Sequence, residues 1–401
     1  MAQKVYLIGI GTGAAMQFTL DARDKILNSD LLIGAERMIK AARNLSGDLG
    51  VPEFISYDAD EIGDYIAKYA EYEKICILLS GDTGFFSGAS KLMAKLSDYD
   101  VDVLPGISSL SYFCARMKVS WEETAFTSIH GRSSNLIYRI AHENMTFALL
   151  SGADDLIQLG DKLVKYGLTD VTLHIGENLS YENERILHVK PDSVRENTYD
   201  RLLALIIENP NPRKKDYLSV DDNEFIRGDA PMTKSEVRTI SIAKLKITGK
   251  AVVYDVGAGT GSVSVQAAMQ YYDSKVFAIE KNSEAVGLIN ANKIKFAADN
   301  LEIIQGEATE CIDKLEAPTH AFIGGSSGNL CKILDMIYSK NPSCRIVLNA
   351  ISLETVSNAL GYLKEHGIKP VEILEISVSK AKETGTHHLM MGQNPITIIV
   401  F

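Results

Sequence analysis

The residues with the clearest chemical signature lie between Ala251 and Ala268, in the sequence AVVYDVGAGTGSVSVQAA. A buried strand leads into a glycine-rich turn, and a helical pattern follows. Glycine permits a sharp turn and lets a ligand approach the backbone, and the first turn of the next helix offers unpaired N–H groups. A second strand pattern ends at Glu280, 23 residues after Gly257. An acid at about 20 residues is the spacing that binds ribose hydroxyls, so the pattern predicts a nucleoside-containing cofactor.

The spacing of the glycines separates two cofactor classes. Gly257, Gly259 and Gly261 form G-x-G-x-G, whereas a dinucleotide fingerprint needs its third glycine at the position of Ser262. Asp255, just before the turn, would repel a pyrophosphate but suits a cationic ligand. These features favour S-adenosylmethionine. An NAD-dependent oxidoreductase and a non-catalytic S-adenosylmethionine sensor remain as alternatives.

Two further motifs flank this loop: EFIRGDAPMTKSEVR at 224–238 and AFIGGSSGNL at 321–330. In this order, the three motifs make residues 217–401 resemble the decarboxylating methyltransferase domain of corrin-ring biosynthesis. The resemblance implies a Rossmann-like class I methyltransferase with a seven-stranded sheet. It also implies that S-adenosylmethionine contacts Thr233, Gly257, Ala258, Gly259, Thr260, Gly261, Glu280 and Ala308. Relatives often have Asp at the position of Glu280.

The first half carries a different set of motifs: VYLIGIGTG at 5–13, LLSGDTGFFSGAS at 78–90 and VDVLPGISSLSYFCARM at 101–117. Together they resemble the tetrapyrrole methylase family, in its branch acting on carbon 5 of the corrin precursor, across about residues 3–209. The resemblance implies two αβα lobes with S-adenosylmethionine in the cleft between them, and the turn at 9–13 facing the tetrapyrrole. It places the cofactor contacts at Gly81, Asp82, Phe85, Ser108 and Ser109. Thr83 stands where many members have proline.

The two resemblances together imply a bifunctional enzyme that methylates a corrin precursor at carbons 5 and 15 and removes a ring acetate carboxyl as carbon dioxide. A sulfonium methyl is already activated, so catalysis requires positioning and exclusion of water rather than a strong protein nucleophile. Catalytic residues and a metal site are not predicted. Another tetrapyrrole as substrate, and a substrate with or without cobalt, both remain open.

The carboxylates of such a substrate would bind to basic side chains. The predicted substrate contacts are Arg132, Arg227, Lys234, Arg238 and His388, and further basic candidates are Arg37, Arg116, His130 and His387.

Short apolar runs alternate with longer amphipathic stretches along the whole chain, which predicts an α/β fold with largely parallel sheets. The predicted domains are 1–209 and 223–401, joined by a linker at 210–222 that contains two prolines and a basic triplet. Two strands, at 371–377 and 396–400, are predicted to end the chain. The intervening loop carries His387 and His388.

Composition limits the classes of partner and compartment. The 401 residues include 41 Lys+Arg against 52 Asp+Glu, a net charge of −11, which argues against binding to nucleic acid. No apolar run reaches the roughly 18–20 residues that span a bilayer. The five cysteines show no C-x-x-C spacing, which argues against a disulfide framework or zinc site. We expect a reduced, cytoplasmic protein that forms a homo-oligomer.

Overall fold

The computed structural model describes residues 3–45, 50–128, 135–213 and 219–401. Within these ranges the chain forms two compact units. Unit 1 contains the described residues up to 128, together with 144–161 and 169–210. Unit 2 contains 135–143, 162–168 and the described residues from 211 onward. Inclusion of the two short segments in unit 2 was not predicted, and the functional division into domains stays a prediction.

Nineteen strands and thirteen α-helices are assigned in the described residues. The strands are β1 (Lys4–Gly9), β2 (Leu31–Gly34), β3 (Glu53–Ile55), β4 (Lys74–Leu79), β5 (Asp100–Leu104), β6 (Ala125–Ser128), β7 (Met145–Leu149), β8 (Thr172–Glu177), β9 (Arg185–Val189), β10 (Leu203–Glu208), β11 (Val252–Val256), β12 (Lys275–Glu280), β13 (Leu301–Gln305), β14 (His320–Ile323), β15 (Arg345–Ala350), β16 (Glu372–Ile376), β17 (Ser379–Thr384), β18 (His387–Gly392) and β19 (Ile396–Val400). The helices are α1 (Leu20–Leu27), α2 (Glu36–Arg43), α3 (Ala59–Lys68), α4 (Ala89–Lys95), α5 (Ser109–Met117), α6 (Leu136–His142), α7 (Ala153–Lys165), α8 (Ser235–Leu245), α9 (Ser262–Gln270), α10 (Ser283–Lys295), α11 (Ala308–Cys311), α12 (Leu330–Lys340) and α13 (Leu353–Glu365).

The first sheet of unit 1 has the order β3-β2-β4-β1-β5, and all its pairings are parallel. Its two central strands read as continuous apolar runs. Side chains alternate between two buried clusters, with Val5 and Leu7 of β1 on one face and Ile8 on the other. Coverage of both faces is what such runs predict. The carboxyl ends of β1, β4 and β5 therefore meet at one edge.

The second sheet of unit 1 has the order β6-β7-β10-β8-β9. Only the β6–β7 pairing is parallel; β10 runs antiparallel to both of its neighbours, and β9 runs antiparallel to β8. This corrects the expectation of largely parallel sheets for this part of the chain. The apolar content of a strand predicts that it is buried but does not determine its direction relative to a neighbour.

Unit 2 contains a seven-stranded sheet of order β13-β12-β11-β14-β15-β19-β16. The terminal strand β19 is inserted between β15 and β16 and runs antiparallel to both. Alternate side chains of β11 enter two different buried clusters, Val253 on one face and Tyr254 on the other. This is the predicted α/β fold and the seven-stranded sheet of a class I methyltransferase.

Two predictions for unit 2 need correction. Residues 379–392, predicted as a loop, form a two-stranded antiparallel hairpin of β17 and β18 whose residues are all exposed. The predicted linker also packs in part, since Val220 is buried, with 2% exposure, and Arg213 donates a 2.7 Å hydrogen bond to the Lys295 carbonyl. Within the described residues, no helix is long and apolar enough to cross a membrane.

Candidate functional site

The glycine-rich turn of unit 2 follows β11 and requires glycine at three positions. Gly257, Gly259 and Gly261 have φ angles of +72°, +56° and +76°, the left-handed region that side chains disfavour. A Cβ atom on Gly257 would lie 2.6 Å from the Gly325 carbonyl oxygen, and one on Gly259 only 2.4 Å from that of Pro231. The turn is therefore pressed against neighbouring backbone on two sides.

Glu280, at the end of β12, is held against this turn. Its Oε2 accepts a hydrogen bond from the Gly259 N–H at 2.8 Å, and its Oε1 accepts one from the Asn282 N–H at 2.9 Å. An ionised carboxylate has about four acceptor positions, so ribose hydroxyls can still donate to it. The ribose contact predicted from the spacing stays a prediction.

A cavity of about 250 Å³ lies above the turn, at the carboxyl ends of the central strands, where ligands bind in open α/β sheets. Six predicted contacts line it together: Thr233, Gly257, Ala258, Gly259, Glu280 and Ala308. Two others do not. Thr260 is 1% exposed, and Gly261 is the N-cap of α9. Both residues belong to the turn but do not line the cavity.

The same cavity has walls that the sequence analysis did not assign. Lys281 lies next to Glu280, and its Nζ is 3.0 Å from Glu307 Oε1. Ser326 and Ser327 follow β14. The AFIGGSSGNL motif begins with a predicted strand, at 321–323, and the two serines come shortly after it. Their position after this strand was the signal that could have identified them.

Asp255 does not face the cavity, which corrects the expectation that it contacts a cationic ligand. It is buried at 1% exposure, and one carboxylate oxygen accepts a hydrogen bond from the Ser264 hydroxyl of α9. The other oxygen has no hydrogen-bond partner among the described residues. Burial raises the pKa of Asp255 to about 7, and the nearby charge of Glu280 adds to the increase.

Arg238 is not available to a substrate, because its side chain is completely buried. The guanidinium donates to Gln266 Oε1 at 2.7 Å, to the Thr233 carbonyl at 2.7 Å and to the Val220 carbonyl, and it pairs with Asp222 at 3.2 Å. It therefore ties the segment that precedes α8, including Thr233 at the cavity, to helices α8 and α9. This is a positioning role.

The remaining predicted substrate contacts of unit 2 lie outside the cavity lining. Arg227 is exposed and Lys234 is the half-buried N-cap of α8. His388 lies on the exposed strand β18, with its Nε2 3.6 Å from Glu383 Oε1. Arg132 and His130, of the other half, lie outside the described residues. A substrate role for Arg227, Lys234, His388 and Arg132 stays a prediction.

Unit 1 brings three strand ends together around Gly81. Gly81, with φ +69°, pairs with Gly11 through reciprocal backbone hydrogen bonds of 2.8 and 3.1 Å. Asp82 accepts from the Gly84 N–H at 2.8 Å and from the Gly106 N–H at 3.1 Å. Where relatives have proline, the Thr83 hydroxyl donates to the Leu104 carbonyl at 3.4 Å. The acid and its neighbour thus link the turn after β4 to the end of β5.

A cavity of about 350 Å³ opens beside this turn. Four predicted contacts line it: Gly81, Asp82, Phe85 and Ser109. Ser108 does not; it is buried as the N-cap of α5, and its hydroxyl oxygen accepts from the Ser111 N–H at 3.0 Å. Thr12, from the first glycine turn, also lines the cavity.

The arginines of unit 1 differ in their availability. Arg37 lines the cavity and donates at 3.0 Å to both the Tyr181 hydroxyl and Ser80 Oγ. Arg116 pairs at 2.6 Å with Glu184, away from the lining. Arg201 lines the cavity and was not predicted. The position of Arg201 just before a predicted strand of the sheet was the available signal.

Comparison with known proteins finds similarity to a named family in each half of the chain. Residues 224–401 match the model of the precorrin methyltransferase domain, and residues 4–194 match the model of tetrapyrrole (corrin/porphyrin) methylases. A probable cobalt-precorrin-6B C(15)-methyltransferase (decarboxylating) of Sulfolobus acidocaldarius is 40% identical over 184 residues, which are 45% of this chain and 95% of that protein. The chain belongs to the precorrin methyltransferase family.

Other members show the same extent of similarity. The cobalt-precorrin-6B C(15)-methyltransferase (decarboxylating) of Salmonella typhimurium is 36% identical over 181 residues, 44% of this chain and 93% of that protein. A crystal structure of precorrin-6Y C5,15-methyltransferase from Geobacter metallireducens is 36% identical, covers 45% of this chain and 94% of that chain, and has a TM-score of 0.43. The chain is a methyltransferase, and the oxidoreductase alternative is dropped.

Replacing Glu280 tests its predicted contact with the cofactor. Glu280→Ala should weaken S-adenosylmethionine binding in unit 2 by about tenfold or more, since a hydrogen bond to a charged group contributes about 1.5–3 kcal/mol. Calorimetry on the full chain should show one site weakened and one retained. Glu284→Ala, on the exposed first turn of α10, is the control and should leave both sites intact. Unchanged affinity at both sites in Glu280→Ala would rule out the contact.

Replacing Gly259 tests whether the turn requires glycine. Gly259→Ala should abolish S-adenosylmethionine binding in unit 2 and lower the unfolding temperature, because its Cβ would overlap the Pro231 carbonyl. Gly361→Ala is the matched control: a Cβ there meets nothing within 4 Å, in the interior of α13. It should retain binding and add up to about 1 kcal/mol of stability. If both variants bind as wild type, the close approach does not shape the site.

The raised pKa of Asp255 has a consequence for stability. Between the unfolded value near 4 and the folded value of about 7, the folded state retains a proton that the unfolded state has lost. The stabilisation is therefore complete below about pH 4 and is lost as the pH rises through about 7. Asp255→Asn should flatten this slope in unit 2, measured by hydrogen exchange of β11 at several pH values. Asp229→Asn, at an exposed position, should keep the wild-type slope; an equal slope in Asp255→Asn would contradict the assignment.

Proposed function

We propose that this chain uses S-adenosylmethionine at two sites to methylate a precorrin-6B-type corrin precursor in cobalamin biosynthesis. Unit 2 methylates carbon 15 and removes the ring acetate carboxyl, and unit 1 methylates carbon 5. The observation that carries this proposal is a pair of cavities, each at the carboxyl ends of parallel strands and each formed by a glycine turn and an acid. The names of the unit 2 relatives support the chemistry assigned to unit 2.

The residues of unit 2 fit S-adenosylmethionine. The left-handed glycines leave a cradle that any Cβ would fill, and the Glu280 carboxylate stands where ribose hydroxyls can donate to it. When bound, S-adenosylmethionine supplies an activated methyl group on a sulfonium centre. Thr233, Gly257, Ala258, Gly259, Glu280 and Ala308 would hold the cofactor, with its adenine next to Ala308 and Glu307.

The contribution of the protein is then orientation and desolvation. The backbone turn and Glu280 hold one reactant in place, and Arg238 keeps the segment carrying Thr233 at the cavity. A reacting carbon must come within about 3–3.5 Å of the methyl, in line with it. Loss of the acetate carboxyl leaves an electron pair that the conjugated macrocycle itself can accept, so unit 2 requires no separate electron sink.

Unit 1 would use a different arrangement for the same purpose. Gly81, Asp82, Phe85 and Ser109 line a cavity whose volume, about 350 Å³, lies in the range of small-molecule sites. Asp82 holds the backbone of two turns, so the wall of the cavity is rigid before a ligand arrives. Phe85 supplies an apolar wall beside the polar turn. The homo-oligomer and the cytoplasmic location remain predictions.

The experiment is to supply the full chain with methyl-labelled S-adenosylmethionine and either metal-free or cobalt-loaded precorrin-6B, and to measure methyl incorporation and carbon dioxide release. Glu280→Ala should lose the carbon 15 methyl and the carbon dioxide while the carbon 5 methyl is still added. Asp82→Ala should lose the carbon 5 methyl alone, because the turns around Gly81 and Gly106 lose their anchor.

The opposite pattern would reverse the assignment of chemistries to the units. Carbon dioxide release that persists in Glu280→Ala but stops in Asp82→Ala would place decarboxylation in unit 1. If either variant loses both methylations while the other cavity still binds S-adenosylmethionine, the two reactions share one site and the proposal is wrong. The ratio of rates with the two substrates tells whether cobalt is present in the preferred one.

A further inference from the structure

An aromatic surface beside the cavity of unit 1 has no role in the contacts described so far. Phe86 lines the cavity, is 36% exposed and has a φ angle of +49°. A bulky residue in this left-handed region is strained, and such strain is concentrated at functional sites. The strained backbone presents the ring at the cavity instead of in the core.

Phe86 belongs to a group of four rings. Its centroid lies 4.8 Å from that of Phe85 and 6.3 Å from that of Phe126, both in edge-to-face geometry. Phe126, on β6, is 50% exposed. Phe85 is in turn 5.8 Å from Phe147, which is completely buried on β7. The exposed pair thus packs through the half-buried Phe85 onto the core ring of Phe147, and together the rings form an apolar surface.

Positive charge borders this surface. Arg201 lines the same cavity and makes no hydrogen bond or ion pair with the described residues. Arg37 also lines it, and its two partners are hydroxyl groups, so no carboxylate in the described part of the chain neutralises it. The carboxylate of Asp82 is the acidic group in the lining, and both its oxygens accept backbone N–H groups. The region therefore favours an anion next to an apolar plane.

We propose that Phe86 and Phe126 form a shelf on which the macrocycle of the substrate packs, with Arg201 binding a carboxylate at its rim. This inference rests on the proposed function, which makes the acceptor an extended conjugated ring with carboxylate side chains. Aromatic rings bind such a plane by stacking and apolar burial. A planar guanidinium binds a carboxylate in a bidentate manner. Arg37, held by Tyr181 and Ser80, is a positioning residue in the lining of the same cavity.

The probe for this shelf is uroporphyrin, a flat tetrapyrrole with carboxylates around its rim. The single tryptophan of the chain, Trp121, is half exposed and lies just before β6 in unit 1. Quenching of its emission in the full chain therefore reports a porphyrin bound near Phe126. A parallel titration with S-adenosylmethionine, by calorimetry, reports the cofactor sites in the same variants.

Each part of the shelf has its own variant and control. Phe86→Leu should weaken uroporphyrin about tenfold, a loss expected for an aromatic contact, whereas Phe86→Tyr should stay within about twofold of wild type. Arg201→Gln should also weaken it about tenfold, and this loss should shrink at high salt because it is ionic. Tyr57→Leu and Arg23→Gln, both at exposed positions outside the lining, should bind as wild type. Affinity for S-adenosylmethionine should be unchanged in all of them.

Four results would overturn the inference. Wild-type chain that is not quenched, or Phe86→Leu and Arg201→Gln that bind uroporphyrin as wild type does, would show that there is no shelf. A loss of S-adenosylmethionine binding in Arg201→Gln, with uroporphyrin unaffected, would assign the arginine to the carboxylate of the methyl donor.

Measuring carbon 5 methylation by the same proteins distinguishes a failure of the shelf from a failure of the proposed function. If wild type methylates and the variants are unimpaired, the shelf is wrong and the function stands; if wild type adds no methyl at carbon 5, the function itself fails.

Discussion

Both cavities depend on backbone pressed against backbone where parallel strands end. In unit 1 a Cβ on Gly106 would lie 2.2 Å from the Gly81 carbonyl oxygen, and one on Gly9 would lie 2.7 Å from the Gly106 nitrogen. In unit 2 the same crowding joins Gly257 to Gly325. Removing side chains at these points lets the turns close together, and the glycines Gly81 of unit 1 and Gly257 and Gly325 of unit 2 line the cavities. The other residues of each site are positioned relative to these backbone turns.

Each turn is anchored by one acid, and the two folds use it in the same way. Asp82 accepts N–H groups from two turns in unit 1, and Glu280 accepts the N–H groups of Gly259 and Asn282 in unit 2. A carboxylate with two backbone donors is held in place and still has acceptor capacity left for a ligand. The acids therefore fix the shape of each site, and their contact with a ligand is part of the proposal. A third acid, Asp255 on β11, is buried against Ser264 of α9. Burial raises the pKa of Asp255, so it contributes to the pH dependence of stability instead.

The contacts of several basic side chains differ from those that the sequence predicts. Arg238 was predicted to contact a substrate, and it is instead a buried hub that joins Asp222, Gln266 and two carbonyls. Arg116 is neutralised by Glu184. Arg201, which no motif singles out, lines a cavity, and its guanidinium has no hydrogen-bond or ion-pair partner among the described residues. A guanidinium reaches several ångströms from its Cα atom, so its partners depend on segments that are distant in the chain.

The sequence by itself determined the two glycine turns, the acids beside them and most of the strands, whereas the division into two methyltransferase halves stays a prediction. These are local properties: glycine adopts the left-handed angles without strain and is the residue that fits the crowded positions, and strands buried on both faces must be apolar along their length. Tertiary structure alone decided four features: the antiparallel pairing in the second sheet, the exposed β17–β18 hairpin, the burial of Asp255, and the placement of Arg201 in the lining of a cavity. Each of these depends on which distant segment packs alongside, and neither hydrophobic pattern nor spacing encodes that partner. The hairpin had one local signal, the glycine at 385 between its strands, which adopts φ +64°. Its strands, SKAKET and HHLMMG, lack the apolar alternation that would have predicted them.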